Sequence, residues 1–326
     1  MNTPTDAMHR AQELVKLQLA DVEATLRDLP DLQPPALRDA VIGVVSAGGK
    51  RIRPVITLLI TGMLGQLDNK RAVYLGSAVE MLHTATLVHD DLIDGSLMRR
   101  GAATMNAVWT PAATVLTGDW MFAFAAGLAS KTDSVRVMSI FADTLGVLVG
   151  GELQQAFTDF ALRATRDDYY RRIYNKTASM FVLAATASGV VADASEAQIT
   201  ALHDYGRDLG IAFQVMDDVL DFTADQSAVG KPVGGDLRRG LITLPTICYV
   251  EAHGREDMEC ALRGECDPAT YDKVIAQIRA SDAIAHAMQE AEGIGTNAKR
   301  AMSVFPESAY RTALIDLVDY TFERKK

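Results

Sequence analysis

The sequence predicts an all-α protein, and three observations carry that expectation. Apolar residues recur at helical spacing through most of the 326 residues. Ala and Leu, both strong helix formers, dominate those periodic segments. No pair of alternating apolar and polar runs is joined by a hairpin turn. With 48% hydrophobic residues, a large packed core is easily built.

Taken in order, Val15, Leu19, Val22 and Leu26 form the stripe of a first amphipathic helix, which Pro30, Pro34 and Pro35 end. Helical patterns then cover 36–47, 54–64, 70–94, 112–130, 134–160, 168–190, 196–222 and 241–253, with shorter ones towards the C-terminus. Breaks fall at Asp68-Asn69, Gly95–Ala103, Arg163–Asp167 and Thr223–Arg239, where Gly, Pro and polar residues cluster. No low-complexity or flexible linker separates the halves, so one helical domain over 1–326 is expected.

The formal net charge of −10 argues against nonspecific nucleic-acid binding, which needs a basic footprint. The three cysteines, Cys248, Cys260 and Cys266, have no zinc-ligand spacing, and their odd number fits a reducing compartment better than a disulfide framework. The polar start, Met1 to Lys16, lacks the apolar region of a signal peptide. No unbroken apolar run reaches the roughly 18 residues that suggest a membrane span. A soluble, cytoplasmic chain without a transmembrane segment is the expectation.

Two aspartate triplets share one spacing: Asp90, Asp91 and Asp94, then Asp217, Asp218 and Asp221. Each ends a long helical pattern. On a helix, i and i+4 lie about 40° apart on one face, with i+1 flanking them. Three carboxylates at a helix C-terminus meet the negative end of its dipole, an unfavourable arrangement that a bound cation relieves. Hard oxygen donors of this kind suit Mg²⁺, which takes one or two carboxylates and completes its shell with water and phosphate. The triplets lie in different halves, so one site requires them to face each other across a central cavity. The expectation is a polymetal site for a diphosphate.

Basic residues supply the other half of such a site. Gly48-Gly49-Lys50-Arg51-Ile52-Arg53-Pro54 lacks the spacing of a Walker A loop. Arg99-Arg100, five residues after Asp94, can clamp a phosphate that the metals hold, and Lys231 follows Asp221 by ten residues. With Lys176-Thr177, Gln214 and Gly230-Lys231-Pro232, this order of motifs resembles the trans-isoprenyl diphosphate synthases, or polyprenyl synthetases, over roughly residues 45–245. A single Asp-Asp-x-x-Asp is weak; two with the Gly-Gly-Lys run and the arginine pair are specific.

The resemblance implies the isoprenoid synthase type of helical fold, a homodimer, and about three Mg²⁺ ions per active site. It implies isopentenyl diphosphate and an allylic prenyl diphosphate as substrates. By the same resemblance Asp90 and Asp94 bridge two ions with Asp91 supporting them, and Asp217 holds a third with Asp218 and Asp221 nearby. Arg99, Lys176 and Lys231 contact the allylic diphosphate, while Lys50, Arg53, His83 and Arg100 hold isopentenyl diphosphate. Thr177 and Gln214 sit beside the developing carbocation. One departure stands out: Gly235-Asp236-Leu237-Arg238-Arg239-Gly240 is followed by Leu241 where the family often has lysine, and Arg238 or Arg239 is the available replacement.

Product length, by the same resemblance, depends on what the growing tail meets along the helix that ends in Asp90, where one turn of about 5.4 Å matches one isoprene unit. Bulky aromatics one turn before the first aspartate stop elongation early in the family. Here Ala85 and Thr86 occupy that turn, which favours a product longer than farnesyl diphosphate. Met81, Leu82, Trp120 and Phe124 are candidates for a floor further down. Two rivals remain at this level: a terpene cyclase, and a noncatalytic subunit of a heteromeric prenyltransferase. The second intact triplet and the Lys50/Arg53 pair argue against the first, and retention of both triplets against the second.

Overall fold

The computed structural model describes residues 4–30, 34–99, 101–157, 165–223 and 233–323. Helices dominate it: α1 (Pro4–Leu14), α2 (Lys16–Arg27), α3 (Pro35–Ser46), α4 (Ile52–Met63), α5 (Lys70–Ile93), α6 (Met105–Val108), α7 (Pro111–Ser130), α8 (Val135–Phe157), α9 (Arg166–Ile173), α10 (Ser179–Val191) and α11 (Glu196–Thr223). Then come α12 (Gly235–Arg238), α13 (Leu244–His253), α14 (Glu259–Arg263), α15 (Pro268–Ala280), α16 (Ala283–Ala301) and α17 (Ala309–Glu323). An all-α fold is what the periodicity required. The sheet content among the described residues is one hairpin, Met98–Arg99 against Ala102–Ala103, whose two-residue strands are too short to leave an alternating pattern.

Local chemistry sets the boundaries. Asn69 accepts the backbone N–H of Arg71 and starts α5, while Thr110 caps α7 ahead of Pro111. The long pattern over 168–190 divides, because a π turn at Tyr174–Ala178 lies between α9 and α10. Such a turn widens the helix locally and displaces the side chains it carries.

α10 is buried along almost its whole length and packs on α4, α5, α8 and α11. Fully buried Leu183 and nearly buried Phe181 each contribute about 1.5–3 kcal/mol by leaving water. Its approach to α11 depends on Gly206 and Gly210. A Cβ on Gly210 would lie 2.6 Å from Ala178 Cα, and one on Gly206 2.7 Å from the Phe181 carbonyl oxygen. These two glycines, one turn apart, bring the π turn against the C-terminal half of α11. The core falls into two clusters, and α11 feeds both: Tyr205 and Leu209 join the first, Val215, Val219 and Phe222 the second.

Two expectations change. Cys260 and Cys266 form a disulfide, because α14 ends at Gly264 in the left-handed region (φ 74°) and the chain turns back, with the Glu265 N–H donating to the Cys260 carbonyl. Cys248 is free and buried. Moreover, α7 and α8 are each long and apolar enough to cross a membrane, with mean hydropathies of 1.3 and 1.2 over their best windows. Isolated Thr, Gly and Asp residues break every unbroken apolar run there without lowering the average enough to fail that test. Length and composition are all that this establishes, since a core helix passes too.

Candidate active site

A cavity of about 580 Å³ opens between the start of α4, the C-terminal half of α5, the π turn and α11. Lys50, Arg53, His83, Thr86, Asp90, Arg99, Lys176, Thr177, Gln214 and Asp217 all line it. The first aspartate of each triplet thus faces one space, together with cations from three separate stretches of chain. Arg100 and Lys231 lie outside the described residues.

The Lys50–Arg53 loop is held by an unusual device. Gly48 (φ 81°) and Arg51 (φ 51°) both take the left-handed region, which is costly for an arginine. The Arg51 guanidinium is buried and donates to Glu23 Oε1 at 2.6 Å, Glu80 Oε1 at 2.8 Å and the Val45 carbonyl at 2.5 Å. Those bonds pin the turn, and Lys50 and Arg53 on either side are aimed into the cavity. Arg53 stands 4.9 Å above the Phe181 ring, and its buried Nε has no hydrogen-bond partner. Burial pulls its pKa down to about 10 against the opposing charge of Glu80. A desolvated guanidinium with an orphaned donor is suited to an anion.

Across the cavity, Lys176 rides on the π turn. Its Nζ donates to Glu152 Oε1 at 2.9 Å and lies 3.7 Å from Asp90 Oδ2. Burial acts to lower the lysine pKa, but Asp90 and Glu152 outweigh it and the net shift is upward. Asp90 is itself raised, chiefly by burial, with Lys176 opposing and Glu152 and Asp94 reinforcing. Asp94 is the exposed C-cap of α5.

Asp91, Asp218 and Asp221, expected beside the metal ligands, each accept a hydrogen bond from the protein. Asp91 is buried and accepts Arg99 Nε at 2.8 Å, on the side of a second cavity. Asp218 is buried and accepts Tyr169 Oη at 2.7 Å and Gln214 Nε2 at 2.8 Å. Its pKa is pushed up to about 7, first by burial and then by Asp236, with those two donors opposing. Asp221 accepts the backbone N–H of Asp236 at 3.1 Å and anchors α12. For Asp91 and Asp218 the reason is geometric: consecutive helical residues lie about 100° apart, so i+1 leaves the face that i and i+4 share.

Among the described residues no group of three or more acidic, His or Cys side chains is close enough to hold a metal ion. The donor set still fits Mg²⁺. Asp90 and Asp217 are hard oxygen donors on one cavity, and a bound diphosphate has to supply the remaining ligands.

The replacement cations for Leu241 are not in the cavity. Arg238 pairs with Asp272 and Arg239 with Asp236. Ala85 is also placed differently from expectation: it is fully buried in the core, whereas its neighbour Thr86 lines the central cavity. Thr86, Asp90 and Lys176 also line a side cavity of about 350 Å³ walled by Ile93, Phe122, Leu148, Val149 and Leu153. Sequence reasoning missed Glu152, Glu80 and Arg51. Glu152, directly after Gly150-Gly151 in an otherwise apolar stretch, left a signal; the Glu80–Arg51 pair left none.

The polyprenyl synthetase family model matches residues 34–278, three quarters of the chain. The chain belongs to the polyprenyl synthetase family. It is accordingly an enzyme that transfers prenyl groups. The chain is 40% identical over 285 residues to the octaprenyl diphosphate synthase of Haemophilus influenzae, covering 86% of each protein. Its fold is similar to that of a decaprenyl diphosphate synthase from Rhodobacter capsulatus (TM-score 0.91, 33% identity, 98% of this chain and 99% of that one). It is also similar to a Caulobacter crescentus polyprenyl synthase solved with calcium and isoprenyl diphosphate (TM-score 0.89, 35% identity, 98% of both chains).

Proposed function

We propose that this polyprenyl synthetase condenses isopentenyl diphosphate with an allylic prenyl diphosphate and repeats the step to a product longer than farnesyl diphosphate. The observation that carries this reading is the single cavity onto which Asp90, Asp217, Lys50, Arg53 and Lys176 converge. Its cations come from three separate stretches of chain, more than a cyclase acting on one diphosphate needs. Bound Mg²⁺ supplies charge neutralisation and orientation of the departing diphosphate.

The protein's own groups do the rest. Asp90 and Asp217 would hold the Mg²⁺ from two helices, and Lys176 and Arg99 bind the oxygens of the allylic diphosphate, so the allylic C–O bond breaks with its electron pair on that leaving group. Arg53 and Lys50 hold the second diphosphate and aim the isopentenyl double bond at the allylic carbon. The new C–C bond takes the π electrons of that double bond. Loss of a proton from the isopentenyl unit to the released diphosphate restores an allylic product. Ile52, Leu87 and Phe213 in the cavity wall exclude water that would quench the cation.

The long-chain reading is supported by the apolar side cavity that shares Thr86, Asp90 and Lys176 with the central one, and by relatives named as octaprenyl and decaprenyl diphosphate synthases. A divalent cation is supported by the calcium in the Caulobacter relative's structure, and Mg²⁺ in particular by the hard carboxylate donors beside a diphosphate. We read the chain as one domain, since α11 feeds both core clusters. We read it as a homodimer through α7 and α8, which leave Leu116, Val149, Leu153 and Phe157 exposed.

The test measures diphosphate release and product length with each substrate alone and with both, with and without Mg²⁺. Release that needs both substrates and the metal is expected. Release from the allylic substrate alone would point to a cyclase, and none at all to a noncatalytic subunit.

A further inference from the structure

The hydroxyl of Thr177 does something the other buried helical threonines do not. Thr61, Thr84, Thr117 and Thr144 each donate back to a carbonyl one turn earlier, the usual resting place of a helical hydroxyl. Thr177, on the π turn, donates across to Gln214 Oε1 on α11 at 2.6 Å. Gln214 in turn directs Nε2 to Asp218 Oδ1 at 2.8 Å, and Tyr169 donates its hydroxyl to Asp218 Oδ2 at 2.7 Å.

The polarity of that chain is fixed from its buried end. Asp218 receives two donors, one on each oxygen, so the amide nitrogen of Gln214 faces it and the amide oxygen faces Thr177. An amide oxygen only accepts, so the Thr177 proton lies on the Thr177–Gln214 line and the hydroxyl's lone pairs lie off it. Thr177 and Gln214 both line the central cavity. Tyr169 is fully buried on α9 and Asp218 nearly so.

Resting on the prenyl-transfer reading above, we propose that the chain Tyr169–Asp218–Gln214–Thr177 locks the Thr177 hydroxyl with its oxygen, not its proton, towards the cavity. Tyr169 and Asp218 are positioning residues for the ionisation step. As the allylic C–O bond lengthens, positive charge develops on carbon, and a dipole already oriented towards that charge needs no reorganisation when it forms. A hydroxyl free to rotate lacks that advantage. This gives Asp218 the role of holding the Gln214 amide, through the one donor that each of its oxygens accepts.

A double-mutant cycle tests it. The rates and KM values of wild type, Tyr169→Phe, Thr177→Val and the double variant are measured at saturating Mg²⁺, with melting curves for each. Tyr169→Phe is expected to lower kcat roughly tenfold, the scale of one lost hydrogen bond. KM for isopentenyl diphosphate and the Mg²⁺ dependence are expected to stay put. In the Thr177→Val background the same change should alter kcat by less than about twofold, since there is no hydroxyl left to orient. Equal losses in both backgrounds, an unchanged kcat in Tyr169→Phe, or a weakened Mg²⁺ dependence would each overturn the proposal. Should Tyr169→Phe fail to fold, Asp218→Leu, which removes the acceptor that holds the Gln214 amide, replaces it in the same cycle with the same expected outcomes. Absence of transfer by the wild type would remove the function reading first, whereas an additive cycle removes the relay alone.

Discussion

In both triplets the first aspartate and the second part company. Asp90 and Asp217 line the central cavity, while Asp91 and Asp218, about 100° round their helices, are buried against Arg99 and against Tyr169 and Gln214. Replacing Asp90 or Asp217 by alanine removes a carboxylate that we propose holds Mg²⁺. Turnover should fall by roughly 10²-fold or more with folding intact, measured as diphosphate release beside a circular-dichroism melt. Near-normal rates in both variants would refute the site. Arg238 and Arg239 give the opposite expectation. Neither lines the cavity and each is paired with an aspartate, so Arg238→Ala and Arg239→Ala should leave the apparent affinity for the allylic substrate unchanged within about twofold. A clear loss of affinity in either would mean that the guanidinium leaves its aspartate when substrate binds.

At the scale of elements, α5, with Asp90 in its last turn, is the helix along which we propose the tail runs. The periodicity located α5 to within a residue, and the spacing of the triplet identified its C-terminal end. What it left open was which of two adjacent small residues forms the wall, because a shift of one position turns the side chain by about 100°. The structure assigns the wall to Thr86 and the core to Ala85. Thr86→Phe should therefore shorten the product, read by chromatography under saturating isopentenyl diphosphate, while ionisation survives. Ala85→Phe should overfill a packed interior at a cost of about 1–3 kcal/mol and lower the melting temperature. A shortened product from Ala85→Phe together with an unchanged one from Thr86→Phe would reverse the assignment. The π turn was illegible for a different reason: Tyr174, Asn175, Lys176, Thr177 and Ala178 are compatible with an ordinary helix, and the constraint comes from Gly210 and Gly151 on neighbouring helices. A Cβ on Gly151 would come within 2.7 Å of Asn175 Cβ.

For the whole molecule, the two helices that pass the membrane-length test also carry large apolar side chains in solvent. Leu116 is 67% exposed on α7, and Leu153 55% and Phe157 87% exposed on α8. Periodicity does not reveal this on α7, since a helix apolar on nearly every side has no stripe to assign to core or surface. Scattered apolar exposure is ordinary, but residues at i and i+4 such as Leu153 and Phe157, or Val149 and Leu153, form a continuous strip along α8. A second copy of the chain is the partner we propose for it. A specific interface buries on the order of 1,600 Å² in total and draws its stability from apolar area at about 25 cal/mol per Å². One charge at the centre of such a patch must then be desolvated without a partner, which costs several kcal/mol. Wild type should sediment at about twice 35.2 kDa at micromolar concentration, whereas Leu116→Glu combined with Leu153→Glu should sediment at the mass of one chain. Because both positions are solvent-facing within one chain, the variant's helical content should be retained. A wild type that sediments as a single chain, or a double variant that remains a dimer, would place the α7–α8 face outside any self-association.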